Sequence, residues 1–152
     1  MRGSPGGEKM LPPHLKKRFL DLARSIASWS KDPNTQVGAV AVNEARAVIE
    51  TGYNGLPRGV HDHAERMERP AKYLWTAHAE ENLVAHAARE RLKGSTVFVT
   101  HLCCPPCTRM LINAGVAEVV IGPGQTAMPA EQFEVSRTMF DEAGVRVLYH
   151  AG

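Results

Sequence analysis

His78-Ala79-Glu80 and Cys104-Pro105-Pro106-Cys107 are the residues of this chain whose types and spacing could do chemistry. One imidazole and two thiols supply three donors of the kind zinc prefers, and hard cations avoid thiolates. Three protein donors leave a fourth tetrahedral position for water, which separates a catalytic zinc centre from a closed structural one. Water on such an ion ionises near neutral pH. Glu80, two residues after the histidine, is placed to carry protons to and from it as general acid and base. The pattern predicts hydrolytic chemistry, with His78, Cys104 and Cys107 as Zn2+ ligands and Glu80 as the catalytic residue.

Two alternatives stand beside this reading. A zinc site that only holds the fold would take a fourth protein ligand, and Cys103 and His101 are nearby. Against it stand the glutamate, the strand between the two halves and the helix-start placement of both. Either Cys103 or Cys104 could pair with Cys107. The 104–107 spacing favours Cys104, and so does Pro105, which suits the first turn of a helix. Cys104 near the N-cap and Cys107 one turn later share a helix face, and the helix dipole there favours thiolate.

The elements that must position these groups follow from periodicity. Leu15, Phe19, Leu22, Ile26 and Trp29 recur at helical spacing over roughly 13–30, with Pro12 and Pro13 in the first turn. Residues 37–42 and 47–51 are short, apolar and β-branched, joined by a hairpin turn from Asn43 to Arg46. Residues 52–59 read as a glycine loop with unusual backbone angles. An irregular polar excursion follows over 60–76. A helix is predicted over 78–92, a strand over 96–100, and a helix from Pro105 to Gly115. A strand over 116–121, a helix over 130–143 and a strand over 145–149 complete the chain. Strand-helix-strand repeats after residue 94 imply parallel pairing, and the front hairpin adds antiparallel strands. The expected fold class is α/β, a mixed sheet in α/β/α layers.

Composition bounds the partners. With 152 residues, 43% hydrophobic and 22% charged, the chain suits one globular domain with a buried core. A net charge of +2 is too small for wrapping polymeric nucleic acid, which needs a concentrated basic stripe. No apolar run approaches a membrane span, so no membrane partner is expected. The three cysteines cluster at 103, 104 and 107, which suits a metal site in a reducing cytoplasm and not a disulfide framework. Residues 1–12 read as a disordered leader or an expression remnant, with Met10 an alternative start. The domain is expected over 13–152.

The chain resembles the cytidine/deoxycytidylate deaminase superfamily, and within it the deoxycytidylate (dCMP) branch. Four segments carry the resemblance: Ser30 to Val40, the Gly52-Tyr53-Asn54-Gly55-Leu56-Pro57 loop, His78-Ala79-Glu80 with Asn82, and the half from Cys104-x-x-Cys107 through Ala114-Gly115-Val116 to Met139–Val145. The resemblance implies a five-stranded mixed sheet between helices, zinc on His78, Cys104 and Cys107, and Glu80 as proton shuttle. It places Asn54 where the family's loop asparagine contacts the sugar or base; the bland reading is a turn residue in a left-handed conformation. It implies conversion of dCMP to dUMP and ammonia by a homo-oligomer, dimeric or hexameric, in a family some of whose members respond to dCTP and dTTP. The same chemistry on cytidine, guanine or a modified dCMP is the alternative, as is a silent nucleotide-binding protein, which the intact Glu80 argues against. Cys103 stands where the family usually has proline, and Leu83-Val84 and the segment Lys72–Ala77 also depart from its pattern.

A nucleotide substrate needs cations at its phosphate. Arg58 and Arg109 are the expected contacts, with Arg66, Arg69 and Lys72 as further candidates; each taken singly is more often a solvated surface charge. His61-Asp62-His63 reads as a polar loop sooner than a second metal site, and Trp75 could stack on a base or simply pack.

Overall fold

The computed structural model describes residues 11–150; of the leader expected over 1–12, residues 1–10 lie outside them, and Pro12 caps the first helix. Its strands are β1 (Gly38–Val42), β2 (Val48–Tyr53), β3 (Thr96–His101), β4 (Glu118–Gly124) and β5 (Arg146–Tyr149). Its helices are α1 (Pro13–Ala27), α2 (Lys72–Trp75), α3 (Ala79–His86), α4 (Arg89–Leu92), α5 (Pro105–Asn113) and α6 (Ala130–Glu142). The strands form one sheet in the order β2-β1-β3-β4-β5. β1 is antiparallel to β2 and β3, and β3, β4 and β5 are parallel. A short turn can join only antiparallel neighbours, whereas parallel strands need crossovers, here α5 and α6. The mixed five-stranded sheet expected from the sequence is the one the chain forms.

β1 lies inside the sheet and is buried at all five positions. Its side chains alternate between two cores. Ala39 and Ala41 join Val97, Val99, Val119 and Ile121 under α3, α5 and α6, with Leu83, Leu111 and Phe140 sealing that layer. Val40 and Val42 join Phe98 and Val120 under α1 on the other face. Phe19 of α1 meets Phe98 with ring centroids 5.2 Å apart. Burial on both faces explains why β1 reads as a continuous apolar run.

Several boundaries differ from the sequence reading. α1 ends at Ala27, and Trp29, 60% exposed, falls beyond it against the edge of Tyr53. Leu20 and Ala23 are fully buried in its place, so the apolar face is centred slightly off the expected one. The helix expected over 78–92 is two, because Ala87 and Ala88 are extended. The break sinks Leu92 completely into the core, and Arg91 reaches the Ile49 carbonyl at 3.1 Å. No glycine or proline marks it. The excursion over 60–76 contains a 3-10 turn, Ala64–Met67, and the one-turn α2.

Gly52 is not a loop residue but part of β2. A Cβ there would lie 2.4 Å from the Ala79 carbonyl oxygen and 2.7 Å from the Leu83 nitrogen. Only glycine lets the start of α3 press onto the sheet at this point, and that start carries the histidine and glutamate of the metal signature. Asn82 fastens the same helix by donating to the Tyr53 carbonyl at 2.8 Å.

Candidate active site

Two helix starts converge beside the sheet. His78 is the extended residue before α3, and its backbone N–H donates to the Glu81 carboxylate, which closes a capping box. Cys104 is the extended residue before α5, followed by Pro105 and Pro106. The Thr108 amide donates to the Cys104 carbonyl at 2.9 Å, so the first turn is closed and Cys107 lies on the same face as Cys104. His78 Nδ1 is 3.2 Å from Cys104 Sγ and 3.3 Å from Cys107 Sγ. All three donor atoms lie within 4.8 Å of one another, and no other such cluster exists among the described residues.

This donor set fits zinc. Tetrahedral bonds to nitrogen and sulfur put such atoms about 3.5 Å apart and two sulfurs about 3.8 Å apart. The observed spacing needs only a few tenths of an ångström of expansion, with His78 presenting Nδ1. Electrostatics point the same way. Cys104 is held down at about 4, chiefly because the Cys107 thiol donates to it, with the His78 ring assisting against burial. Cys107 is pushed up, by its hydrogen bond to Cys104 and by burial. His78 is raised to about 9, first by its hydrogen bond to Cys104. The pocket thus gathers thiolate charge that a soft dication neutralises.

Glu80 is 3% exposed and borders the same cavity. Burial pushes its carboxyl up to about 7, the nearby Cys104 adding to the effect. A carboxyl poised there can both take and give a proton at neutral pH. Cys103 is buried too and pairs with Glu80, not with the metal donors; burial raises its thiol well above the usual value, which keeps it neutral.

The cavity has a volume of about 320 Å³, large enough for a small ligand. One wall is a polar cluster that the sequence did not reveal as a unit. Asp32 and Lys72 form a buried ion pair at 2.9 Å, with side chains 4% and 8% exposed. Asp32 also accepts the Asn34 and Thr35 amides at 2.8 and 3.1 Å. Burial alone would raise its carboxyl, but the Asn34 amide, Lys72 and the Thr35 amide together hold it below its usual value. Asn54 is tied into this cluster: its Oδ1 accepts the Val37 amide at 2.8 Å and its Nδ2 donates to the Thr35 carbonyl at 2.9 Å. It is not left-handed; Arg46 is the non-glycine residue with positive φ among those described. Its side chain lines the cavity with one Oδ1 lone pair left for a ligand.

The expected phosphate contacts are placed elsewhere. Arg58 and Arg109 are exposed and neither borders the cavity. Arg109 follows Cys107 by two positions, about 200° around the helix, which turns it away from the metal face. Arg69 borders the cavity instead, while Lys72 is committed to Asp32. Arg66 lies 3.9 Å over the Trp75 ring, and Trp75 does not line the cavity.

Comparison with known proteins agrees with this geometry. Residues 13–123 match the cytidine and deoxycytidylate deaminase zinc-binding region. The chain is 44% identical over 137 residues to the uncharacterized deaminase in the luxG 3′ region of Aliivibrio fischeri, covering 88% of this chain and 91% of that protein. It is 33% identical over 133 residues to the deoxycytidylate deaminase of Homo sapiens, covering 84% and 74%. The fold superposes on dCMP deaminase from the cyanophage S-TIM5, crystallised with dCMP and dUMP, with a TM-score of 0.73 at 23% identity, over 93% of this chain and all of that one. With a converging His-Cys-Cys donor set and a buried glutamate beside it, the chain belongs to the zinc-binding cytidine and deoxycytidylate deaminase family.

Proposed function

We propose that this chain converts dCMP and water to dUMP and ammonia, with His78, Cys104 and Cys107 holding zinc and Glu80 moving the protons. One observation carries the reading: a buried carboxyl, raised to about 7, shares a cavity with His78 and Cys104, two of the three clustered donors. Relatives named deoxycytidylate deaminase, such as that of Homo sapiens, support dCMP as the substrate.

Zinc held by His78, Cys104 and Cys107 would acidify water and so make it a nucleophile at neutral pH. Glu80 accepts the proton that the water loses and delivers it to N3 of the pyrimidine. It then carries the second proton, taken from the oxygen now on C4, to the departing 4-amino group. A C4–O bond forms, the C4–N bond breaks, and ammonia leaves. Asn54 lies where its Oδ1 can accept from the substrate, and the Asp32–Lys72 pair holds Asn54 in place. Arg69 takes the phosphate role first assigned to Arg58 and Arg109.

Homo-oligomer formation belongs to the same proposal. Tyr73, Leu74 and Trp75 are 65%, 90% and 42% exposed on a segment bordering the cavity, an apolar face that a second copy would cover. No described helix is long and apolar enough to cross a membrane. The free cysteines suit a reducing cytoplasm.

The test is ammonia release by the zinc-loaded protein from dCMP, deoxycytidine, cytidine, cytosine and guanine, with and without dCTP and dTTP. Turnover confined to dCMP, abolished in Glu80→Gln at unchanged zinc content, is the expected result. Turnover of a nucleoside or free base but not of dCMP would overturn the substrate. Turnover surviving in Glu80→Gln would overturn the mechanism.

A further inference from the structure

We infer that His101 reads the substrate: its ring is fixed as a hydrogen-bond donor, Nε2–H, for an acceptor oxygen of the bound nucleotide. This rests on the deaminase reading above and adds a specificity residue to it. His101 ends β3, three residues before Cys104, and lines the same cavity as Glu80.

Two features hold the ring. The first is a relay through Thr100, which is 6% exposed. Thr100 Oγ1 accepts the Gly38 amide at 3.1 Å and lies 2.7 Å from His101 Nδ1. A hydroxyl that accepts from an amide has its own proton to give, and Nδ1 is the acceptor within reach. Nδ1 as acceptor puts the proton of a neutral imidazole on Nε2. Burial lowers the His101 pKa, so the ring stays neutral and the tautomer stands.

The second is the neighbouring strand. His101 is paired with Gly124 of β4, after an irregularity in the register. A Cβ at position 124 would lie 2.6 Å from three ring atoms, Cγ, Cδ2 and Cε1. Gly124 has no positive φ that would itself call for glycine. Its missing side chain makes room for the ring. Thr100 occupies one nitrogen and Gly124 covers the ring, which leaves Nε2 as the polar atom offered to the cavity. A donor fixed this way loses little freedom when it binds, so it discriminates among ligands by position.

The acceptor is an oxygen of the nucleotide, either the phosphate or the pyrimidine C2 carbonyl, and two substrates separate them. His101→Leu, with His101→Gln as the donor-retaining variant, is assayed on dCMP and deoxycytidine at matched zinc content. The expected result is a KM raised about tenfold in His101→Leu, kcat within about threefold, and partial recovery in His101→Gln. A penalty on dCMP alone assigns the phosphate, and an equal penalty on both assigns the carbonyl. An unchanged KM for both substrates overturns the inference.

A second readout does not depend on turnover. In 15N NMR of the zinc-loaded protein at pH 7.5, the His101 resonances, identified by their loss in His101→Leu, should show the Nε2–H tautomer and shift on adding dUMP. An Nδ1–H tautomer, or resonances indifferent to dUMP, would overturn it. A wild-type protein inert toward dCMP would remove the proposed substrate, while the tautomer would still decide the state of His101.

Discussion

Lys72 and Asp32 show how a residue outside the reaction governs the site. Both are buried, so removing one leaves an uncompensated charge, which costs about 3–5 kcal/mol. Lys72→Met should lose that much stability in chemical denaturation at pH 7, and a loss under about 1 kcal/mol would show the pair to be ornamental. The pH dependence has a definite sign. The folded Asp32 carboxyl titrates below its ordinary value of 3.8, so its contribution is complete above that pH and lost as pH falls through the lower folded value. The stability gap between wild type and Lys72→Met should therefore narrow below about pH 4. Glu80 belongs to the same scale. Glu80→Gln should keep stoichiometric zinc and lower kcat by about 10²–10⁴-fold or more, the ordinary worth of a general acid-base group. The metal donors and Glu80 were legible because their spacing is local: Cys104 and Cys107 share one helix turn, and His78 and Glu80 one helix start. The Asp32–Lys72 pair and the Gly124 socket for His101 were not, because each joins residues far apart in the chain. Nothing in Lys31-Asp32-Pro33-Asn34 says more than turn.

At the scale of elements, the site depends on how closely α3 lies on β2. Gly52 sets that distance. Gly52→Ala forces helix and strand apart by several tenths of an ångström, a strain of about 1–3 kcal/mol. It should also displace His78 and Glu80, so the expected outcome is weaker zinc retention and lower kcat in protein that remains folded by circular dichroism. Normal zinc affinity and normal kcat in Gly52→Ala would mean that α3 is positioned by other contacts, such as Asn82 on the Tyr53 carbonyl. Strand and crossover order was readable, because β-branched runs alternate with helical periods after residue 94. The break at Ala87–Ala88 was not. Its cause is burial of Leu92, a tertiary demand with no local mark.

For the whole molecule, zinc on His78, Cys104 and Cys107 would join the starts of α3 and α5 on one face of the sheet, and no other cluster that could hold a metal lies among the described residues. Chelation should therefore lower Tm without erasing the fold. A ligand at a thousandfold excess over its Kd stabilises by about 4 kcal/mol, or roughly 10 °C for a chain of this size. Differential scanning calorimetry with and without chelator checks this, with far-UV circular dichroism retained at 25 °C. Complete unfolding on chelation would make the metal a structural keystone instead.

The register of β1 against β3, Ala39 opposite Val99, has a consequence in time. β1 comes from the front of the chain and pairs in the middle of the sheet, so the loop it closes contains Asn54, His78 and Glu80, while Cys104 and Cys107 lie beyond it. Closing a loop that long is slow and brings no reward until the strands meet. The glutamate and thiols therefore come together only when that closure is made. During refolding, activity should appear in a single phase with β1–β3 pairing, and no half-folded chain should release ammonia.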